Sequence, residues 1–210
     1  MVQKDSNLVK SKERVEKHGE VFTPNHTIES MLSLVNEEQS RIDSRFLEPA
    51  CGNGNFLKII LEKKLKTVKI KYNKSEYEKQ HYALFSLMCI YGIELLEDNV
   101  KECRGSLLLI YSNFLGLNKT SSWYQAGRKV LEANIIHGDA LTIKTTTNKP
   151  IEFPEWSYIG AGKFQRRDFK YENLAERASF NNTLFELLED NQLFTPTKTY
   201  PTMSIEELSK

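Results

Sequence analysis

Apolar positions fall in short blocks at two spacings. Ile28, Met31, Leu32 and Val35 recur at helical intervals behind Thr23 and Pro24, a good helix opening. Residues 46–57 read Phe-Leu-Glu-Pro-Ala-Cys-Gly-Asn-Gly-Asn-Phe-Leu. A short apolar run closes on an acidic residue, a tight Pro/Ala/Cys turn and two glycines follow, and a helical stretch opens through Phe56, Ile59, Ile60 and Leu65. The pattern is strand, glycine-rich turn, helix. Residues 81–90 read as a buried helix. Residues 91–98 hold a second strand ending at Glu94, with a helix from Asn99 to about Leu115, and 133–141 hold a third strand ending in Gly-Asp.

Between these units, the Lys-rich run 67–80 reads as a solvated helical face or a linker rather than a phosphate-binding surface. The stretch 67–90 looks inserted, because consecutive βα units normally need less chain. Residues 151–171 alternate aromatic and polar positions around Gly-Ala-Gly, the signature of a hairpin. An amphipathic helix is expected over 172–190 through Leu174, Ala178, Leu184, Leu187 and Leu188, and the tail with Pro196 and Pro201 reads as loose. Residues 1–17 read as a solvated arm. The expected division is an arm (1–17), an α/β domain (18–150) and a hairpin–helix extension (151–210).

Composition narrows the partners. The chain has 210 residues, 40% hydrophobic, with 29 Lys plus Arg against 28 Asp plus Glu and net charge +1. That balance does not mark a nucleic-acid binder, so DNA contact requires a local basic patch or a partner. Cys51, Cys89 and Cys103 have no metal-ligand spacing, and their odd number argues against a disulfide framework. No metal is expected. The first twenty residues lack a signal-type apolar core and no run reaches a membrane span, so a soluble cytoplasmic protein is expected.

The candidate chemistry lies at the strand ends. Glycines at 52 and 54 let the backbone turn sharply and approach a ligand, and open α/β sheets bind ligands at the carboxyl ends of their strands. Gly-x-Gly alone is weak, but the full string resembles the S-adenosylmethionine (SAM) loop of DNA adenine-N6 methyltransferases, the modification subunits of restriction systems. In that family the acidic residue and the turn hold the methionine part of SAM. The resemblance assigns this part to Glu48, Pro49, Ala50, Cys51, Gly52, Asn53, Gly54, Asn55 and Phe56. A Gly-x-x-x-Thr-Pro segment precedes that loop in the family at about this distance, and His18–Pro24 matches it. By resemblance Val21, Phe22, Thr23 and Pro24 line the cofactor pocket.

Glu94, with Leu95, stands where a carboxylate can accept from both ribose hydroxyls. The alternative is a strand-end Glu capping the next helix; in third place after two matching motifs, the ribose role is preferred. Asp139, with Ala140 and Leu141, matches the Gly-Asp whose carboxylate accepts from the exocyclic amine of SAM's adenine. His137 reads as a packed histidine with no assigned role.

Beyond residue 141 the resemblance ends. The family's Asn/Asp-Pro-Pro-Tyr/Phe motif is absent. Asn148 is the nearest substitute, and Asn148-Lys149-Pro150 reads as a turn in preference to a degenerate catalytic loop. Lys163, Arg166, Arg167 and Lys170, interleaved with aromatics, can bind a nucleic-acid backbone, although a hairpin packing its aromatics is the commoner arrangement.

The expected fold is α/β: a Rossmann-like SAM-methyltransferase fold, truncated after the third or fourth strand, its mostly parallel sheet flanked by helices and followed by a C-terminal hairpin and helix. The leading function is a SAM-dependent DNA adenine-N6 methyltransferase-like protein of a restriction-modification or phage system. The alternative is a non-catalytic SAM-binding or regulatory subunit whose partner supplies the catalytic and DNA-reading parts. A methyltransferase for another substrate is the third reading. Expected partners are DNA, a specificity or catalytic subunit, or a second copy.

Overall fold

The computed structural model describes residues 9–172 and 195–210. Each strand–turn–helix unit read from the sequence is present. After helices α1 (Lys12–His18), α2 (Asn25–Ser33) and α3 (Asn36–Ser40), strand β1 (Phe46–Glu48) leads into helix α4 (Asn55–Tyr72), and α5 (Glu76–Met88) returns the chain to β2 (Ile90–Glu94). Helix α6 (Glu97–Leu115) and helix α7 (Ser122–Asn134) then deliver β3 (Ile135–Asp139). The strands pair in the order β1-β2-β3, all parallel, with Leu47 opposite Tyr91 and Ile93 opposite Ile136. The short strand β4 (Lys144–Thr145) adds antiparallel to β3. Every residue of β2 is buried, as expected for a central parallel strand covered on both faces.

Helix α4 buries Leu57, Ile60, Leu61, Lys64, Leu65 and Val68, a stripe at i, i+3, i+4 and i+7. Lys64 is the exception in that stripe. Its ammonium donates to the carbonyls of Arg41, Ile42 and Ser44 at 2.6, 3.1 and 2.6 Å. It thereby pins the turn that feeds β1, and burial lowers its pKa to about 8. The Lys-rich run is helical through Tyr72, with a turn at 73–75. Two helices between β1 and β2 account for the inserted stretch.

Helix α7 falls where the sequence offered no assigned element. Its mid-helix Gly127 resembles a breaker, but a Cβ there would lie 2.7 Å from the Tyr111 ring, so glycine permits close packing onto α6. Asn134 at the end of α7 is buried and donates to the carbonyls of Met88 and Ile90 at 3.0 and 2.9 Å.

The expected hairpin is β5 (Glu152–Gly160) and β6 (Lys163–Lys170), turning through Gly160-Ala161-Gly162. It packs on the main core: Trp156 is 2% exposed and donates to Asn134 Oδ1 at 2.8 Å, and Tyr91 donates to the Pro154 carbonyl. One cluster of buried side chains runs from Ile28 to Leu208.

The ends differ in what the structure describes. The helix predicted over 172–190 falls almost wholly outside the described residues. The tail is docked rather than loose. Strand β7 (Lys198–Thr199) pairs with β6, Met203 exchanges backbone bonds with Phe164, and a Ser204/Glu207 capping box starts helix α8 (Ile205–Leu208), whose Ile205 and Leu208 are buried. Of the expected arm, 1–17, residues 1–8 lie outside the described residues; the rest is solvated as expected but ordered, since it includes most of helix α1 (Lys12–His18) and is tied to α6 by ion pairs.

Candidate functional site at the carboxyl ends of the parallel strands

The site starts from the turn after β1. Cys51 N–H donates to Ile93 O at 3.0 Å, extending the ladder one step past the strand, and Gly54 N–H closes on Cys51 O at 2.8 Å. Gly52 and Gly54 take φ of 52° and 84°, the left-handed region that disfavours a side chain. Space makes the same demand at Gly54, where a Cβ would lie 2.6 Å from Cys103 Sγ. Gly54 is then the residue from which α4 springs.

Glu94 closes β2 and points into this turn. Its Oε2 accepts from Gly52 N–H at 2.9 Å, and its Oε1 accepts from Leu96 N–H at 2.9 Å and from the Asn99 amide at 3.4 Å. One carboxylate, 8% exposed, therefore joins the glycine loop to the start of α6. The helix-start role set beside the ribose role is present in the geometry, and one lone pair of Oε2 is left open.

The segment before α2 (Asn25–Ser33) forms the opposite wall. The Phe22 ring lies over Gly52, 3.4 Å from where a Cβ would sit. Pro24 stands at the N-cap of α2 with no side-chain cap, so Thr23 does not cap it. Ile28 and Leu32 are buried in this helix, whereas Met31 and, beyond its end, Val35 are exposed.

Between these walls lies a cavity of about 280 Å³ lined by Val21, Phe22, Thr23, Glu48, Ala50, Cys51, Gly52, Asn53, Asn55, Phe56, Glu94 and Leu95. Gly19, Glu20, Ile28, Met31 and Leu96 also line it and were not singled out from sequence. Gly19 and Glu20 were within reach of such a reading, since they open the Gly-x-x-x-Thr-Pro segment. Pro24, Pro49 and Gly54 do not line the cavity; they shape the turns behind it. Asn53 donates to Glu102 at 3.1 Å, and its Oδ1 is buried with no partner among the described residues.

A second hollow, of about 330 Å³, adjoins across Leu95, and Asp139, Thr142, Lys144, Thr145, Thr146 and Asn148 line it. Asp139 accepts from Leu141 N–H at 2.8 Å, which holds its carboxyl below the usual range. Leu141 is 95% exposed. Asn148 sits at φ 61° in a closed turn, with Thr145 N–H on Lys149 O at 2.8 Å. His137 is a half-buried link whose Nε2 lies 3.0 Å from Leu95 O.

Of the acids around the two hollows, Glu20 is ion-paired with Arg14, whereas the three at the strand ends are not paired. Glu48 meets the backbone N–H of Ala50, and burial pushes its carboxyl up. Glu94 and Asp139 likewise take hydrogen bonds from N–H or hydroxyl groups. Among the described residues none of the three has a Lys or Arg within ion-pair distance. Cys51 is buried against Cys103, and that thiol neighbour together with burial holds its own thiol protonated.

The basic residues of β6 are arranged differently. Arg166 forks onto Asp168 at 2.6 and 3.0 Å and lies over the rings of Trp156 and Tyr200. Arg167 pairs with Glu155, and Lys163 lies 3.7 Å from Glu207. Lys170 is exposed. No described helix is long and apolar enough to cross a membrane.

A family model described as MmeI, DNA-methyltransferase domain, matches residues 24–155. No curated protein and no solved structure matches the chain. The match covers more than half of the chain and takes in the glycine loop, Glu94 and Asp139. On that match the chain belongs to the MmeI DNA-methyltransferase domain family, DNA methyltransferases of the restriction-modification type.

Proposed function

We propose that this chain is the SAM-holding part of a DNA adenine-N6 methyltransferase. The observation that carries the reading is that, among the described residues, the strand-end carboxylates Glu48, Glu94 and Asp139, of which Glu94 is buried and Glu48 half-buried, stand without a counterion around adjoining hollows at the carboxyl ends of three parallel strands. A buried acid with no cationic partner is costly unless a ligand supplies the missing charge or donors. SAM supplies both, with an ammonium, two ribose hydroxyls and an adenine amine. It also brings the reactive methyl and its leaving group when bound.

The chain's own residues then hold and orient. Glu48 accepts from the ammonium, with Ala50 to Gly52 giving backbone approach. Glu94 offers the open lone pair of Oε2 to a ribose hydroxyl, while Gly52 N–H and Leu96 N–H hold it in place. Asp139 accepts from the adenine amine. Phe22 and Thr23 wall off water, and Pro24 fixes the turn that carries them. The unit proposed for this task is 18–150, with 151–210 as an extension that buttresses it.

The second reading, a SAM-binding subunit whose partner completes catalysis, is favoured by residues 142–150. Adenine methylation needs an acceptor for the amine and an aromatic face for the flipped base. The Asn148 turn supplies no aromatic, and its backbone is committed to the turn. The β6 arginines, already bound to carboxylates, leave Lys170 with Lys163 as the freest cations there for phosphates.

Calorimetric titration with SAM and its demethylated product tests the pocket. Methyl transfer from labelled SAM to mixed DNA, with and without co-purifying proteins, separates the two readings. The expected result is product binding with little transfer by the chain alone. Robust sequence-specific transfer by the purified chain would refute the partner reading, and absence of binding would refute both.

A further inference from the structure

The segment before the family match reaches the cavity through charge. No residue of 9–20 whose burial is described is buried, so apolar packing does not hold this stretch down. Arg14 does, with both arms of its guanidinium. Nε and Nη2 donate to the Glu20 carboxylate at 2.5 and 2.7 Å, and Nη1 and Nη2 donate to Asp98 at 2.9 and 3.2 Å. Lys10 adds Glu102 at 2.7 Å and Asn99 Oδ1 at 2.7 Å.

The latched residues are part of the cavity wall. Gly19 and Glu20 line it, and the Glu20 side chain is only 7% exposed. Gly19 turns the chain at φ 64° with open space where a Cβ would stand, and its N–H closes α1 on Val15 O at 2.9 Å. Asn99 is 1% exposed and donates to Glu20 at 2.5 Å and to Glu94 at 3.4 Å. A single buried amide thus touches both the latched segment and the carboxylate that holds the glycine loop.

We propose that residues 9–20 are a strap latched to α6 by Arg14, whose end, Gly19 and Glu20, forms part of the cavity wall and opens to admit and release the ligand, with Arg14 and Asn99 as positioning residues for Glu20 and Glu94. The proposal rests on the reading that the cavity holds SAM. Ion pairs at a surface are individually weak and are screened by salt, so a latch made of them opens readily and responds to ionic strength. A planar fork is needed to bind two carboxylates at once, which a lysine, as a point charge, does incompletely.

The test measures dissociation of demethylated SAM by rapid mixing, at low and high salt, for the wild-type chain, Arg14→Ala and Arg14→Lys. Amide exchange over residues 12–22 of the unliganded chain is followed in parallel. Release is expected to be roughly threefold to tenfold faster in Arg14→Ala, from the joint loss of its weak pairs with Glu20 and Asp98, and its salt dependence should flatten. Arg14→Lys should lie between. Exchange over 12–22 should quicken in Arg14→Ala, and in wild type at high salt, while α4 and α6 stay protected. Equal, salt-independent release in wild type and Arg14→Ala would overturn the latch. If demethylated SAM does not bind at all, the cofactor reading fails and exchange alone decides the latch: faster exchange supports it and unchanged exchange overturns it.

Discussion

The carboxyl end of the parallel sheet and the C-terminal hairpin hold similar residues in opposite states. In the hairpin Asp168 is clasped by Arg166 and receives the Tyr200 hydroxyl at 3.0 Å, and Glu155 takes both Arg167 and Arg45. Its aromatics are packed: Phe164 is fully buried and Trp156 nearly so. At the sheet's carboxyl end Glu48, Glu94 and Asp139 have only N–H and hydroxyl partners among the described residues, and Phe22 stands half-buried over a cavity. A structural charge is neutralised in place, as Glu20 is by Arg14 even on the cavity wall, whereas a carboxylate held without a counterion is the kind of group a ligand can satisfy. The contrast favours the sheet's end as the binding surface and the hairpin as a buttress.

The largest expected effect falls on the buttress. Trp156→Ala should cost about 3–5 kcal/mol of stability, since it opens a cavity and leaves Asn134 Oδ1 without its donor. Urea unfolding measures this loss. SAM affinity of the folded fraction should stay within about twofold, less than half of the 1.4 kcal/mol that a tenfold change requires. A large affinity loss at unchanged stability would reverse the assignment of roles.

The glycines sharpen the comparison. Gly54→Val should cost about 2–4 kcal/mol, adding left-handed strain to overpacking against Cys103. Binding should vanish with it. Gly160 has a similar φ of 85° but open space around the missing Cβ, so Gly160→Ala should cost only about 1 kcal/mol of backbone strain. Calorimetric melting with ligand titration reads both. If the two variants melt alike and Gly54→Val still binds, the glycine loop is not the wall of a binding site.

What was legible in the sequence follows from the range of the interaction involved. The glycine loop, the Asn148 turn and the Gly-Ala-Gly hairpin are set by local backbone demands, so short strings suffice to read them. The strand ends at Glu94 and Asp139 are legible because an apolar run stops there. Arg14 was not, because it meets Asp98 across 84 residues, and an amphipathic pattern carries no trace of such pairs. Likewise Gly127 is intelligible only beside Tyr111, and the docking of residues 198–208 depends on an edge strand remote in sequence. For the candidate site, the lining residues near the glycines were accessible from sequence, whereas Met31 and Leu96 required the fold to bring them in.

Within the site the acids should differ in strength. Asp139→Ala should weaken SAM binding by about 1–3 kcal/mol, the cost of leaving a donor unpaired, without lowering the melting temperature. Its carboxylate is half-exposed and holds only its own turn. Calorimetry of the variant checks both parts. Unchanged affinity would remove Asp139 from the adenine contact.

The smallest effect is a pH dependence carried by Glu48. Burial is the first cause of its raised pKa, and the Ala50 N–H opposes it only in part. With the folded pKa above the unfolded value, the fold prefers the protonated acid. This contribution to stability is therefore fully present below the unfolded pKa and is lost as pH rises through the folded pKa. A ligand ammonium requires the ionised carboxylate and pulls the pKa back down. Binding should thus release a proton in the window between the raised pKa and the ligand-bound one, and affinity should fall as pH drops through that window. Titrations in two buffers of different ionisation enthalpy measure the proton directly, and Glu48→Gln should abolish its release while flattening the affinity profile. Proton release persisting in Glu48→Gln would assign the titrating group, and with it the ammonium contact, to an acid other than Glu48.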